Sequence, residues 1–509
     1  MIEIKALIVI LALSLPVFWL ARKPACEFAC DPADFSRRRN LWLVLTVLAF
    51  TANNFWVYIV GASFILMIGA RREPNRLALF LALLMVLPAF TQIIPGFAGI
   101  QHFVGLSHVR MLSIVLLLPA YLTIRREPGV LPFGRTMADK CLFAYLAMQF
   151  LLQIGVISLT ATARYTIYSF IDVFLPYYVA SRGLRDLHAY RDTVMAWVMA
   201  IVVMAPIALF EYFRHWLLYG GLATAMGVVN DYGVYMMRGE TLRAVVSGEH
   251  SIVLGYVVAV ALGLLLYVRR LIANRMIFAL AFVLLAGALI AAGARGPWVG
   301  TAAVMTVVLL TGPAKLKRTF RVGMIAIPLL VLLSFTQTGG RLFELLPFIG
   351  TVDTDSIDYR RRLFDTSMLV IRQNPWFGSF DYLVNPAMQE MIQGEGIIDV
   401  VNSFLGVALT FGYVGLSLFC GVFVFAAWGV SVGLRNADPE SELSLLGRSL
   451  LATLAGVVVC IITLSSIGVV PWVYWTLAGL CVGYAQLAAL PTTRSTEEEV
   501  RFDGSRAHA

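Results

Sequence analysis

The chain has 509 residues, of which 60% are apolar and only 14% are charged, whereas a soluble domain carries about 25% charged and 45–50% apolar residues. This composition excludes a soluble globular protein, because too little polar surface would remain to face water. The formal net charge of +9 is distributed as a membrane topology requires and gives no indication of nucleic-acid binding.

Apolar stretches recur along the whole chain at the length that a membrane-spanning helix needs, about 20 residues. Helices are the expected spanning element, because lipid offers no partner to an unpaired backbone group. In chain order, the predicted spans are 5–21, 41–53, 55–70, 77–95, 109–124, 141–159, 165–181, 194–213, 251–268, 276–293, 297–312, 322–336, 402–431, 449–467 and 470–489. The two short stretches within 41–70 could form a hairpin or one bent element. We therefore predict an all-α, polytopic transmembrane helix bundle of about 12–15 spans.

Polar connections divide the predicted bundle into regions. The first apolar stretch lacks a small-residue cleavage site, so we interpret it as a span rather than a signal peptide. We predict N-terminal transmembrane helices over 1–250, central transmembrane helices over 251–336, a large periplasmic loop of short helices over 337–401, C-terminal transmembrane helices over 402–490 and a cytoplasmic polar tail over 491–509.

The orientation of the bundle is predicted by its basic residues. Every second connection, beginning with 22–40, is rich in Lys and Arg, and together these connections hold 24 of the 39 basic residues. Short connections with an excess of Lys and Arg belong in the cytoplasm. This assignment places the N-terminus outside and leaves two long connections, 214–250 and 337–401, on the outer side.

Several arginines are predicted on the outer side, where topology does not account for them. They are Arg243, Arg295 and the run Arg360, Arg361 and Arg362. A single one of them could simply reach lipid headgroups, but their common side favours a shared anionic site. The planar guanidinium suits phosphate oxygens, and fixed positive charge stabilises a departing diphosphate. The sequence has no Gly-rich phosphate loop and no His-Glu-x-x-His spacing, and its six cysteines suggest no metal site or disulfide framework.

Three segments resemble the bacterial O-antigen polymerase/ligase superfamily over about 243–431. Ala294-Arg-Gly-Pro-Trp298 is similar to a Ser/Thr-Arg-Gly/Ala turn of that family. Tyr359-Arg-Arg-Arg-Leu-Phe364, followed by Arg372-Gln-Asn-Pro-Trp-Phe-Gly378, resembles its Arg-x-x-Leu-Trp and Asn-Pro-Leu-Phe-Gly stretch. Gly396-Ile-Ile-Asp-Val-Val-Asn-Ser-Phe-Leu405, with Phe411-Gly-Tyr-Val-Gly415, resembles the motif that closes the periplasmic loop.

The resemblance implies an enzyme of the bacterial inner membrane whose donor is a glycan on polyprenyl (undecaprenyl) diphosphate. The glycan would pass to an acceptor sugar on the periplasmic face, with no metal, soluble nucleotide sugar or other cofactor. Arg295 and Arg360 match functional arginines of the family, although Arg361 or Arg362 could take the place of Arg360. Arg243 matches a less strict position.

One departure from the family concerns the ligase members, which carry a His directly before the Asn of the third motif. Here Val401 precedes Asn402, so a base that deprotonates the acceptor hydroxyl must come from elsewhere. The candidates are Asp399, Glu395, Glu249 and His250, although Asp399 could instead cap the following helix. We predict catalytic roles for Arg295, Arg360 and Asp399, and substrate binding by Arg243, Arg361, Arg362, His250, Glu395 and Asn402.

The predicted function is a membrane glycosyltransferase that polymerises lipid-linked repeats of an O-antigen or exopolysaccharide. Its partners would be the lipid-linked donor, the glycan acceptor and the bilayer, with a flippase and a chain-length regulator as further candidates. One alternative is a ligase that attaches a finished glycan to lipid or protein. Another is a secondary transporter or flippase of an anionic solute, which would place ionisable residues at mid-membrane depth. The enzymatic prediction requires Arg295 and Arg360 to converge at one site.

Overall fold

The structure is a computed structural model that describes residues 2–97, 102–228, 235–238, 241–272, 274–312, 354–392 and 398–490. Helices dominate these residues, which confirms the predicted all-α polytopic class. The predicted span 322–336 and the predicted tail 491–509 lie outside the described residues, as does Glu395.

The first part of the chain forms nine helices and one hairpin. They are α1 (Ile2–Phe28), α2 (Pro32–Thr51), α3 (Phe55–Gly69), α4 (Arg76–Leu83), β1 (Thr91–Pro95), β2 (His102–Ser107), α5 (His108–Leu112), α6 (Leu118–Ile124), α7 (Met137–Gln153), α8 (Leu159–Tyr168) and α9 (Leu175–Arg182). A 3₁₀ turn, Ala70–Arg72, precedes α4. β1 and β2 pair in antiparallel fashion, with Thr91 opposite Ser107. This hairpin was not predicted from the sequence.

The remaining elements contain the longest helices. They are α10 (Leu187–Arg214), α11 (Leu222–Ala225), the strand pair β3 (Met237–Arg238) and β4 (Thr241–Leu242), α12 (Ser251–Leu271), α13 (Arg275–Ala291), α14 (Arg295–Thr311), α15 (Thr354–Gln373), α16 (Pro386–Gln389), α17 (Ser403–Asn436), α18 (Glu442–Ile462) and α19 (Val470–Ala488). A 3₁₀ turn, Tyr382–Val384, lies before α16. With 20 residues, α15 is longer than the short helices predicted for the loop 337–401.

Six of the described helices are long and apolar enough to cross a membrane, and two shorter apolar segments accompany them. Every predicted span within the described residues coincides with at least one helix. Two segments are interrupted by π-helical turns, Ser113–Leu117 before α6 and Ser169–Phe174 before α9. Each turn is followed by a helix with a proline at its start, and proline removes a backbone donor that a regular helix would use.

The predicted span 77–95 is wrong in its second half. α4 ends at Leu83, and the chain continues as a buried irregular segment before β1 begins. Pro88 explains the break, because proline disfavours helical geometry in the preceding residue. Side chains complete the broken helix: His108 Nε2 lies 3.0 Å from the Leu83 carbonyl oxygen, and the Ser247 hydroxyl donates to the Met85 carbonyl at 2.6 Å.

The centre of the bundle is α12, which is largely buried and packs against α10, α13, α14 and α18. A helix that is apolar all round suits such a position. α14 and α18 approach closely because glycines face each other. A Cβ atom on Gly456 would lie 2.9 Å from the Gly300 carbonyl oxygen, and one on Gly300 would lie 2.1 Å from Cys460 Sγ. Small residues at such contacts are typical of membrane helix pairs.

Buried ion pairs join helices at the end of the bundle where α2 begins. Arg38 Nη1 and Nη2 contact Asp192 at 2.5 and 2.8 Å, and Nη2 also contacts Glu73 at 2.6 Å. Asn75 donates to the same Asp192 carboxylate at 3.0 Å. These contacts hold together the start of α2, the turn before α4 and the start of α10.

Candidate functional site

Arg295 begins α14 directly after a tight turn. Gly293 has a φ of +57°, a left-handed conformation that suits glycine. The first turn of α14 then lies against α12 and against the loop after α18. A Cβ atom on Gly296 would be 2.1 Å from Thr463 Oγ1, and one on Gly255 of α12 would be 2.8 Å from Pro297 Cγ. These close approaches fix the start of α14, and Arg295 itself is partly buried there.

Arg243 lies beside the same turn. The Ala244 amide donates to the Ala291 carbonyl at 2.9 Å, and Arg243 Nε donates to the Ala292 carbonyl at 3.5 Å. Its side chain lies over Gly293, where a Cβ atom would be 3.2 Å from Arg243 Cγ. The segment after β4 therefore brings Arg243 to the turn that carries Arg295.

A buried carboxylate anchors the segment that follows Arg243. Glu211 of α10 accepts hydrogen bonds from the Val245 and Val246 amides at 3.0 and 2.8 Å, and from the Leu218 amide at 2.9 Å. Val246 and Glu249 both have positive φ values, +52° and +64°. Such conformations are uncommon outside glycine, and for a β-branched residue such as Val246 they are true outliers.

The loop 463–469 between α18 and α19 is the element around which the predicted residues gather. We call it the serine loop after Ser465 and Ser466. The Ser465 hydroxyl is 2.7 Å from Asp399 Oδ1 and 3.0 Å from the Val400 carbonyl oxygen. The Ser466 hydroxyl lies 2.9 Å from that of Ser403, whose amide donates to the Leu464 carbonyl. The serine loop thus holds the segment that carries Asp399.

Arg360 is brought to the same segment by its neighbour. The Tyr359 hydroxyl donates to the Asp399 carbonyl at 3.1 Å, which places α15 against the start of α17. Arg360 is partly buried, whereas Arg361 and Arg362 are exposed. Of the three arginines in the run, Arg360 therefore lies nearest the protein interior.

The second and third sequence motifs dock on each other through their backbones. The Tyr413 amide donates to the Pro375 carbonyl at 2.7 Å, and the Ser379 amide donates to the Leu409 carbonyl at 2.9 Å. Gly412 interrupts α17 with a φ of +63°, and a Cβ atom there would be 2.4 Å from the Trp376 carbonyl oxygen. The segment 374–378 occupies this break, so it sets the position of α15 and hence of Arg360.

His250 and Asn402 each cap a helix. His250 Nδ1 accepts from the Ile252 amide at 3.2 Å at the start of α12. Burial and then the positive charge of Arg243 lower the pKa of His250, which reaches about 4 although Asp399 opposes the shift. Asn402 Oδ1 accepts from the Phe404 and Leu405 amides at 3.0 and 3.1 Å. Asn402, and not Asp399, is therefore the N-cap of α17.

The described residues thus connect part of the predicted set, whereas Arg361 and Arg362 are exposed. Arg243 and Arg295 share one turn, and Asp399 and Tyr359 contact each other. The serine loop touches both groups, through Thr463 on one side and Ser465 on the other. Sequence reasoning missed the serine loop because the predicted span 449–467 included most of it. α18 in fact ends at Ile462, and the closely spaced Thr, Ser and Gly residues after it are a turn signal.

A comparison with protein families identifies the central part of this arrangement. Residues 280–420 match the family model described as O-antigen ligase. The resemblance to the O-antigen ligase-like superfamily is thereby confirmed. No curated protein matches the chain. The matched O-antigen ligase range contains Arg295, Arg360, Asp399 and Asn402, whereas Arg243 and the serine loop pack against it from outside.

The O-antigen ligase match and the apolar helices establish a coarse function. The match over residues 280–420 and the apolar helices support a multi-pass membrane enzyme of the O-antigen ligase/polymerase type, a family that implies a lipid-linked glycan as substrate. Within the described ranges, no group of three or more His, Cys, Asp and Glu side chains could hold a metal ion. The side chains gathered here offer guanidinium groups, hydroxyls and carboxylates, which can bind a diphosphate and a sugar.

Proposed function

We propose that the protein polymerises polyprenyl-diphosphate-linked oligosaccharide repeats on the periplasmic face of the bacterial inner membrane. The observation that carries this proposal is the grouping of Arg243, Arg295 and the Arg360-bearing helix around the serine loop. Guanidinium groups bind phosphate oxygens through short, charge-assisted hydrogen bonds. The positive charge of Arg243, Arg295 and Arg360 would complement the negative charge of a diphosphate.

The reaction that fits this site is a one-step displacement. A hydroxyl of the acceptor repeat attacks the anomeric carbon of the donor, and a C–O bond forms as the bond to the diphosphate oxygen breaks. The electron pair leaves with the polyprenyl diphosphate, and Arg295 and Arg360 stabilise the negative charge that develops there. The hydroxyl proton passes to a base. Attack from the face opposite the leaving group inverts the anomeric centre.

A polymerase is favoured over a ligase by the residue before Asn402. Val401 stands where ligase members of the family carry a His. Its side chain packs with the apolar cluster formed by α15, α16 and the start of α17. An apolar side chain in this position supplies no proton acceptor, so the direct ligase mechanism is not available at this residue.

The periplasmic face is supported by the distribution of basic residues. Arg37, Arg38 and Arg39 at the start of α2, and Arg125 and Arg126 after α6, belong to the connections rich in positive charge. Such connections remain in the cytoplasm. The site arginines and the serine loop belong to the other set of connections, which alternate with the basic ones. We therefore place them on the opposite side of the membrane.

The test uses single substitutions of the two central arginines, Arg295→Ala, Arg295→Lys, Arg360→Ala and Arg360→Lys. We expect the alanine variants to insert normally and to accumulate single lipid-linked repeats, with lysine restoring activity only in part because it lacks the planar fork. Arg126→Ala, an exposed arginine in the connection after α6, is the matched control. The measurement is polymer length on the cell surface and in the medium.

The outcomes separate the candidate functions. Accumulated single repeats in Arg295→Ala and Arg360→Ala cells support a polymerase. Finished polymer that stays on its lipid carrier and never reaches an acceptor supports a ligase instead. Full-length polymer in both alanine variants contradicts the role of the arginines altogether.

A further inference from the structure

A cavity of about 460 Å³ lies next to the arginine site, which falls within the range of about 300–1,000 Å³ typical of small-molecule sites. Its lining residues include Thr91 and Ser466, which carry hydroxyl groups, the aromatic Trp472 and the acidic Glu249. Polar groups beside an aromatic surface suit a sugar. Sugar hydroxyls need hydrogen-bond partners, and the C–H face of the sugar ring is apolar and can pack on an aromatic side chain.

An ion pair also lines this cavity. Arg110 Nη2 contacts Asp172 Oδ2 at 2.8 Å, and Arg110 Nε is 3.1 Å from both carboxylate oxygens. Arg110 also donates to the Gly105 carbonyl at 2.7 Å and lies 3.8 Å from the centre of the Tyr168 ring. The pair offers a donor and an acceptor in one fixed geometry while contributing no net charge to the cavity.

Glu249 lies between this cavity and the arginine site. The next residue, His250, experiences the charges of Arg243 and Asp399. On the other side, Glu249 Oε2 is 3.0 Å from the position that a Cβ atom on Gly468 would occupy. The absence of a side chain at Gly468 therefore leaves room for the carboxylate beside the serine loop.

The backbone holds Glu249 in a strained conformation. Its φ of +64° lies in the left-handed region, and Val246 three residues earlier is similarly strained. Such conformations are energetically unfavourable and tend to occur at functional sites. Glu211 anchors the amides of Val245 and Val246, so this conformation is maintained by a buried network.

We propose that the cavity binds the acceptor sugar and that Glu249 accepts the proton of its attacking hydroxyl. The inference rests on the proposed function. As the hydroxyl oxygen bonds to the donor's anomeric carbon, its proton moves to a Glu249 carboxylate oxygen and the diphosphate leaves with the electron pair of the broken bond. The carboxylic acid then returns the proton to water when the product moves on.

The protonation behaviour of Glu249 supports this role. Burial alone raises its pKa to about 7, and a general base is most effective when its pKa is near the working pH. Asp399 is less suited, because its Oδ1 accepts the hydrogen bond from Ser465. His250 uses Nδ1 as a helix cap.

The ionisable groups around Glu249 are Arg110 and Asp172 in the cavity wall, His250 next in the chain, Arg243 and Asp399 beyond it, and Glu211 beneath the segment.

The test uses purified full-length protein in liposomes. The donor is the lipid-linked repeat of the source bacterium, and the acceptor is one repeat on an uncharged alkyl chain. We expect Glu249→Gln to lower kcat by about 10²–10⁴-fold with little change in the KM for the donor. The wild-type rate should rise with pH around a midpoint of about 7, and this rise should be absent from the residual activity of Glu249→Gln. Glu390→Gln, an exposed glutamate at the end of α16, is the matched control.

A second variant tests the cavity without altering the base. Thr91→Trp places a large ring at an exposed strand position that lines the cavity. We expect this substitution to raise the KM for the acceptor about tenfold or more. A tenfold rise corresponds to a loss of roughly 1.4 kcal/mol of binding free energy. Gln92→Trp, whose side chain points to the other face of the strand, is its control.

The outcomes distinguish this inference from the proposed function. Wild-type protein that releases no polyprenyl diphosphate would overturn both. An active wild type with an inactive Arg295→Ala variant, but with unchanged kcat and pH profile in Glu249→Gln, would overturn only the role of Glu249. An unchanged acceptor KM in Thr91→Trp would overturn the assignment of the cavity.

Discussion

Replacing Gly456 by alanine should disturb the site from a distance. α14 and α18 contact each other through Gly300 and Gly456, and the added Cβ atom would lie 2.3 Å from Val304 Cγ2 and 2.9 Å from the Gly300 carbonyl oxygen. Carbon atoms in contact are normally about 3.5–4.0 Å apart. The Val304 methyl must therefore move by more than about 1 Å, and the two backbones must separate by a few tenths of an ångström. Overpacking of this kind costs about 1–3 kcal/mol.

The displacement should reach Arg295 along α14. Arg295 precedes Gly300 by five residues, or about 7.5 Å of helix, and the next residue, Gly296, already touches Thr463 of the serine loop. A misplacement of about 1 Å in a group that stabilises the transition state can reduce the rate about 10²-fold. We therefore expect Gly456→Ala to lower kcat by about 10- to 100-fold and to lower the thermal midpoint of the detergent-solubilised protein.

The assay compares Gly456→Ala with two further variants. Val304→Ala combined with Gly456→Ala removes the closest clash and should recover much of the lost kcat. Gly61→Ala is the control, because its Cβ atom meets only the flexible end of Leu48 at 3.2 Å, on the pair α2 and α3. Wild-type kcat and thermal midpoint in Gly456→Ala would refute the claim that this helix contact positions Arg295.

Three further predictions concern other parts of the molecule. Gly412→Ala should detach the segment 374–378 from α17, because the added Cβ atom would be 2.4 Å from the Trp376 carbonyl oxygen and because Gly412 has a φ of +63°. Limited proteolysis within 374–385 should become faster, and polymer synthesis should fall. Because burial raises the pKa of Glu249 to about 7, the folded protein bears the cost of a buried charge above that pH. Glu249→Gln should therefore increase the free energy of unfolding at about pH 8.5 by no more than about 3 kcal/mol, seen as a higher thermal midpoint, and should not do so at about pH 5. Asp192→Asn should destabilise the protein by up to about 3–5 kcal/mol, because Arg38 would lose a bidentate partner. A lower thermal midpoint with a normal kcat at low temperature would identify this effect.

The helices could be predicted because lipid leaves so few choices. An apolar stretch of about 20 residues must satisfy its own backbone, so composition alone located nearly every helix of the described chain. The prediction failed where a side chain replaced the helix's own hydrogen bonds. After Leu83 the chain leaves the helix, and His108 and Ser247 contact the freed carbonyls. Those partners lie 25 and 162 residues away along the chain, and hydropathy cannot show them.

The site was accessible to sequence reasoning only in part. The arginines carried a signal because charge on the outer side of a membrane protein has no topological explanation. Ser465 and Ser466 carried only a weak turn signal, because small polar residues beside an apolar run are also ordinary inside membrane helices. Arg110 and Asp172 were hidden for a similar reason: they lie 62 residues apart, each within an otherwise apolar stretch. Their pairing depends on how α5 packs against the π-helical turn before α9.

The charge around the proposed base differs from the charge around His250. A carboxylate beside a positively charged guanidinium would have a low pKa and would be a weak base. Burial is the only cause of the raised pKa of Glu249, and the one arginine in its cavity is already paired with Asp172. Arg243 acts instead on His250, which burial and this positive charge keep neutral. The positive charge that would hold the donor thus acts on the imidazole and is not a cause of the pKa shift of the carboxylate that would activate the acceptor, so each can keep the charge state that its step requires.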